Sequence, residues 1–143
     1  DGAAAVVVMD EDYARSLGIK PLARIIGSSV SGLDPKIMGV GPIEACRKVF
    51  AQTGMSVKDI DVIELNEAFA AQVIPVGREV GFLDDRLNPH GGALALGHPF
   101  GMTGARIMTT LINDLQTLDK TYGLETMCVG GGQGMAMIIE RLN

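Results

Sequence analysis

Apolar positions along the chain alternate between strand-like runs and helical spacing. Ala3 to Met9 is a continuous apolar run ending in Asp10-Glu11-Asp12, which predicts a buried strand handing over to a helix whose acidic first turn complements its dipole. That helix passes through Ala14 and Leu17 and stops at Gly18. A second strand is predicted within Leu22 to Val30, and Gly32, Pro35, Gly39, Gly41 and Pro42 then mark a loop. Pro42 suits a first helical turn, Ile43, Cys46, Val49 and Phe50 share one face of that helix, and Gly54 closes it. Ile60 to Leu65 is apolar except for Asp61 and Glu64, as expected of a strand covered on both faces. Helical spacing resumes at Phe69, Val73, Val76 and Val80, where Pro75 is expected to kink or divide the helix. After a polar turn at Asp84-Asp85-Arg86 and a glycine-dense stretch from Gly91 to Gly104, Ile107, Leu111, Leu115 and Leu118 mark a long amphipathic helix. Leu124 to Val129 and Met135 to Ile139 flank a glycine turn and read as an antiparallel hairpin. The sum is one α/β domain over residues 1–143, with about five mostly parallel strands, an antiparallel C-terminal strand and helices on both faces.

Composition narrows the function classes. With 47% hydrophobic and 20% charged residues in 143, the chain is neither disordered nor a coiled coil. A net charge of −5 argues against nucleic acid or an anionic membrane as partner. No run of about 20 apolar residues is present, so a soluble, cytoplasmic protein is expected, or one of an organelle matrix in a eukaryote. The opening, without an initiator methionine or a basic region, reads as part of something longer. Cys46 and Cys128 lack a short ligand spacing, which favours a reducing compartment and no metal site. The 19 glycines do not form nucleotide loops: Gly97, Gly101 and Gly104 lack the accompanying lysine, and Gly130 to Gly134 does not fit GxGxxG. Nine of the 19 (91, 92, 97, 101, 104, 130, 131, 132 and 134) fall in two segments, where they are expected to let a ligand lie against the backbone.

Three positions stand where chemistry is expected. Asn66 ends a buried strand, where ligands of α/β sheets collect, although taken alone it reads first as an N-cap of the next helix. Glu67 is likewise explained by the dipole of that helix. His98 lies between Gly97 and Gly101 just before a helix start, placed for general base or oxyanion work or simply as a loop histidine. Cys128 precedes the glycine turn, which is expected to leave its sulfur accessible for proton exchange or attack on a carbonyl; an inert core thiol is the other reading. Cys46, on an apolar helix face, reads as inert core, and His90 as a turn residue.

Asn66-Glu67-Ala68-Phe69-Ala70, then Asn88-Pro89-His90-Gly91-Gly92-Ala93-Leu94-Ala95-Leu96-Gly97-His98-Pro99, then Cys128-Val129-Gly130-Gly131-Gly132-Gln133-Gly134 resemble, in order and spacing, the C-terminal half of thiolases. Asp1-Gly2-Ala3-Ala4-Ala5 and Met38-Gly39-Val40-Gly41-Pro42 are also similar to that family. The resemblance implies an acyltransferase that makes or breaks the carbon–carbon bond of 3-ketoacyl-CoA esters through an acyl-cysteine, as in fatty acid metabolism and β-oxidation. It implies that His98 activates the nucleophilic cysteine and, with a water held by Asn66, stabilises the enolate oxygen. Cys128 becomes the acid/base, the Gly130 N–H completes an oxyanion hole, and Met38, Ala68 and Phe69 line the pantetheine channel. It further implies coenzyme A as substrate with no permanent cofactor, and an N-terminal half carrying the nucleophile. A homodimer or tetramer is implied for the full-length protein, and inactivity for this chain alone.

His90, Phe100 and Thr103 depart from the family's usual asparagine, leucine and serine; they tune the acyl pocket or the helix start. Two other readings stand beside this one. One is a non-catalytic CoA-binding or scaffold subunit, and the other is a self-contained hydrolase using Cys128 and His98.

Overall fold

In the computed structural model, which describes residues 1–143, four strands form one sheet. They are β1 (Ala23–Gly32), β2 (Val62–Leu65), β3 (Tyr122–Val129) and β4 (Gln133–Arg141), in spatial order β1-β4-β3-β2. β2 pairs with β3 in parallel, and β4 is antiparallel to both β3 and β1. Three strands therefore share one direction and only the C-terminal strand opposes them, as expected. A single parallel bridge, Ile63 to Leu87, adds the stub of a fifth strand beyond β2.

The expected strand over Ala3 to Met9 does not form. Those residues belong to no strand, and Val7 is 84% exposed. An apolar run marks a segment that needs cover, not what covers it, and no edge of this sheet pairs with it.

The helices follow their local signals. α1 (Glu11–Ser16) is capped by Asp10, whose carboxylate accepts the N–H groups of Asp12 and Tyr13 at 2.9 and 3.1 Å, and the chain turns at Gly18 with φ +68°. A 3-10 turn over Pro35–Val40 leads into α2 (Gly41–Thr53), with Pro42 in its first turn. Pro75 does not divide α3 (Ala70–Val80): the helix continues through it, giving up only the bond its missing N–H would have made. α4 (Ala93–Leu96) is one turn, and α5 (Phe100–Thr117) is the long amphipathic helix.

α2 and α3 cover one face, where Ala45, Cys46, Val49 and Val76 pack with Ile63, Leu65, Leu124 and Ile138. α5 covers the other, with Leu111 and Leu115 against Val62 and Ile139. The hairpin and the start of α2 meet backbone to backbone. A Cβ on Gly134 would overlap the Gly41 carbonyl, so this glycine makes room for its own chain and not, as expected, for a ligand. No helix is long and apolar enough to cross a membrane.

The layer under α5 is charged as well as apolar. Glu64 and Glu125 are register partners across β2 and β3, and burial pushes each carboxyl up to about 8. For Glu64 the neighbouring Asp114 adds to the rise and Arg106 opposes it. Their facing atoms Glu64 Oε1, Glu125 Oε2, Asp114 Oδ2 and Arg106 Nε and Nη1 are buried without partners.

A carboxyl whose folded pKa lies above its unfolded value binds more protons folded than unfolded between the two, so stability falls as pH rises through that window. The window here runs from the ordinary carboxyl value of about 4.5 to about 8. Unfolding free energy from urea titrations is expected to decline across it by up to about 1.4 kcal/mol per pH unit for each group and then to level off. Glu64→Gln is expected to flatten the slope; an unchanged slope in that variant would contradict the assignment.

Candidate active site

Two strand ends and one helix start converge. The Asn66 N–H donates to the Thr126 carbonyl at 2.9 Å, extending the β2–β3 pairing by one residue and holding Asn66 at the carboxyl end of β2. β3 carries Cys128 two residues beyond Thr126 at the same end. Asn66 is only 1% exposed, and its Nδ2 lies 3.3 Å from His98 Nε2. The cap reading for Asn66 fails, because α3 starts four residues later with Phe69 as its extended N-cap and no side-chain cap.

The protonation pattern of His98 follows from its partners. His98 Nδ1 lies 2.7 Å from Thr103 Oγ1, and that hydroxyl donates its single proton to the Pro99 carbonyl at 3.1 Å. Thr103 must therefore accept from Nδ1–H. Nε2 is left with its lone pair, accepting from the Asn66 amide, while Asn66 Oδ1 is buried without a partner. A neutral imidazole with its basic nitrogen at the strand ends is positioned to take a proton.

The loop before His98 is fastened by residues whose role the sequence did not disclose. The Asn88 side chain accepts from the Leu65 N–H at 2.9 Å and donates to the Leu65 carbonyl at 3.0 Å, imitating a neighbouring strand. Glu67 accepts from Asn88 Nδ2 at 3.0 Å and from the Leu94 N–H at 2.9 Å. Its carboxylate thus serves the start of α4, not the α3 dipole. Gly92 permits this, since a Cβ there would strike the Glu67 carboxylate. His90 sits in a turn, as expected, and also pairs through Nδ1 with Asp114 Oδ1 at 2.6 Å.

Cys128 is 4% exposed, so the expectation of an accessible sulfur is not met. The hairpin goes on pairing as far as Val129 and Gln133, which places the thiol inside it. Burial pushes the Cys128 thiol up, so at neutral pH it holds its proton. Cys46 is fully buried and pushed up to about 12, which makes it inert as expected. No hydrogen bond joins Cys128 to His98; their linked dyad, which a self-contained hydrolase needs, is absent. Gly130 lies exposed just after β3, and its N–H enters none of the turn or side-chain hydrogen bonds. Gly131 and Gly132, at φ +87° and +86°, reverse the chain behind it.

Met38 in the 3-10 turn and Ala68 are half-buried, and Phe69 is exposed. Gly39 packs on Gln72 in the first turn of α3, which sets the 3-10 turn that carries Met38 against the start of that helix. The Gln72 side chain is buried there with both amide atoms unpartnered.

Residues 19–141 match the family model described as thiolase, C-terminal domain. An acetyl-CoA acetyltransferase of Escherichia coli (strain K12) is 53% identical over 143 residues, which is all of this chain but 36% of that protein. A 3-ketoacyl-CoA thiolase of Vibrio parahaemolyticus is 51% identical over 144 residues, covering 99% of this chain and 37% of the relative. The crystal structure of the Bacillus anthracis acetyl-CoA acetyltransferase superposes with a TM-score of 0.91 at 47% identity, covering 94% of this chain and 34% of that one. The chain thus spans little more than a third of the length of these relatives.

Thr103 makes a direct prediction. Histidine nitrogen shifts are expected to report the Nδ1–H tautomer for His98 and to keep it in Thr103→Ser. Thr103→Val is expected to move the population toward Nε2–H. An Nε2–H imidazole in the unsubstituted protein would refute the hydrogen-bond assignment.

Proposed function

Since the chain belongs to the thiolase family, of which it spans the C-terminal domain, we propose that it supplies the enolate-stabilising and proton-carrying half of an acyltransferase. This enzyme cleaves 3-ketoacyl-CoA by thiolysis or condenses acetyl-CoA in reverse. The observation that carries the reading is the chain of hydrogen bonds from Thr103 through His98 to Asn66, set at the strand end next to that of Cys128.

His98 Nε2 accepts the proton of a nucleophilic thiol that the N-terminal half contributes. The thiolate attacks the 3-keto carbon, and the carbon–carbon bond breaks to leave an acyl-cysteine and the enolate of acetyl-CoA. His98, now an imidazolium, donates from Nε2 to the enolate oxygen. A protonated Nε2 no longer accepts from the Asn66 amide, and the unpartnered Oδ1 is the atom suited to hold a water in its place. Cys128, which keeps its proton at neutral pH, delivers it to the enolate carbon. In the synthetic direction its thiolate removes the proton from acetyl-CoA. As the CoA thiol attacks the acyl-cysteine carbonyl its proton passes to the Cys128 thiolate, the free Gly130 N–H donates to the oxyanion that forms, and the carbon–sulfur bond then breaks to release the shortened acyl-CoA while the departing thiolate recovers its proton from His98.

The pantetheine arm runs along the rim of Met38, Ala68 and Phe69. CoA acts as substrate, without a permanently bound cofactor. The N-terminal half is the obligatory partner, the full-length protein is a homodimer or tetramer in the cytoplasm, and β-oxidation is the setting that consumes such esters. A scaffold that only bound CoA would need neither the Thr103-held imidazole nor the buried Cys128 thiol.

Purified alone, the 143-residue chain is expected to show no thiolysis of acetoacetyl-CoA; measurable turnover would sink the proposal. In the full-length protein, Cys128→Ser is expected to lower kcat by about 10²-fold or more, the usual scale of a lost acid/base. Cys46→Ser is expected to stay within a few-fold of the unsubstituted enzyme. Equal losses would contradict the division of roles between the two cysteines.

A further inference from the structure

The imidazole of His90 is half-exposed in its turn, yet it reaches a side chain that is almost wholly buried. Its Nδ1 lies 2.6 Å from Asp114 Oδ1, and two lone pairs cannot meet at that distance, so a proton lies between them. Asp114 Oδ2 is buried without a partner, which leaves His90 as the one hydrogen bond of this carboxyl. Its neighbour on β2 is Glu64, whose carboxyl is held up at about 8 first by burial and then by Asp114, with Arg106 opposing. Glu64 therefore keeps its proton at neutral pH and lies beside Asp114 without a second negative charge. Asp114 thus stands where three elements meet, the His90 turn, α5 and β2. The same three elements set the geometry of the site: β2 leads into Asn66, α5 carries Thr103, and the loop that begins at His90 ends at His98. Thr103 and Asp114 lie about three turns apart on one buried face of α5, so the loop is tied to that helix at both ends. Between the ties it has little hold. Gly91 and Gly97 take φ of +82° and +90°, a Cβ on either would meet no atom within 4 Å, and Leu94 and Leu96 are exposed. Only the Glu67 bond to the Leu94 N–H and the burial of Ala93 fasten the middle.

We propose that His90 and Asp114 are positioning residues for His98: their pair clasps the start of the loop to α5, so that the helix holding the imidazole through Thr103 also fixes where the loop sets out. The inference rests on the thiolase reading of the site. Neither residue is hydrogen-bonded to Asn66, His98 or Cys128, so the pair acts through the loop and the helix and not on substrate. Released from Asp114, the turn after Asn88 can swing on Gly91 and Gly92, and the imidazole loses its fixed approach to Asn66. His98 has to meet an incoming thiol and then the enolate oxygen, and a displacement of about 1 Å at such a group costs up to about 10²-fold in rate. Met38, Ala68 and Phe69 lie on other elements, so substrate binding is not expected to follow the clasp.

The test is steady-state kinetics of the full-length enzyme with acetoacetyl-CoA and CoA. His90→Ala is expected to lower kcat by about 10-fold while KM for both substrates stays within about two-fold. His90→Asn is expected to recover kcat to within about three-fold, because the asparagine amide places a donor nitrogen where imidazole Nδ1 stands and reaches Asp114 from the same turn. Asp114→Ala is expected to slow the enzyme when made alone and to add less than about two-fold to His90→Ala, as two halves of one interaction do. An unchanged kcat in His90→Ala overturns the proposal, and if its melting temperature falls at the same time the pair serves stability alone. A rise in KM without loss of kcat also overturns it, as do fully additive losses or an asparagine variant as slow as the alanine one. If Asp114→Ala does not fold, the comparison of His90→Ala with His90→Asn decides. Thiolysis by the unsubstituted enzyme with kcat unmoved in His90→Ala defeats only the clasp, while absence of thiolysis in the unsubstituted enzyme defeats the thiolase reading and this proposal with it.

Discussion

The parallel pairing of β2 with β3, only four residues long, is the constraint on which the site depends. Parallel strands present their carboxyl ends at one edge of a sheet, and that is where a side chain can leave a rigid, buried strand and enter a cleft. Asn66 and Cys128 do this from adjacent strands. The pairing is short, yet it is braced on its far side by the Asn88 side chain, which gives Leu65 the two hydrogen bonds a neighbouring strand would have supplied. Asn88 also begins the loop that leads to His98. One amide thus completes the sheet and fixes the origin of the segment bearing the imidazole.

The charged layer under α5 shows what this arrangement costs. Glu64 and Glu125 sit on strands that must be buried for the site to be rigid, and Arg106 and Asp114 lie near Glu64 from the helix, each with buried atoms left unpartnered. Buried polar atoms without partners are destabilising unless water bridges them. The apolar contacts of Leu111 and Leu115 with Val62 and Ile139 in the same layer are what offset that cost. Marginal electrostatics next to a well-packed apolar seam is a common compromise where strands must end in polar chemistry.

Period and punctuation made most of the fold legible. The hairpin, the direction of its last strand, and the ends of α1 and α2 at Gly18 and Gly54 all follow from local residues. Local signals say nothing of contacts distant in sequence, and most misses are of that kind; Pro75, through which α3 continues, is a local one. Ala3 to Met9 has strand composition but no partner; Glu67 serves a helix 26 residues downstream; His90 finds Asp114 across the α5 layer. Cys128 was placed on the correct strand, but its burial depends on pairing that continues past it. At the site, His98, Asn66 and Cys128 were legible as motif residues. Thr103 was visible only as a departure in side-chain type, although a hydroxyl one turn into the helix after a histidine is the signal that could have revealed it.

The uncovered N-terminal run has a consequence for the behaviour of the polypeptide in solution. Ala3 to Met9 combines β-branched valines, no proline and no charge, the composition that pairs readily with other strands when left open. Its exposure beside a folded sheet makes it a ready template for a neighbouring molecule. Cover over this run would therefore protect colloidal stability. A gatekeeping charge within the valines is where solubility of the isolated domain can be engineered.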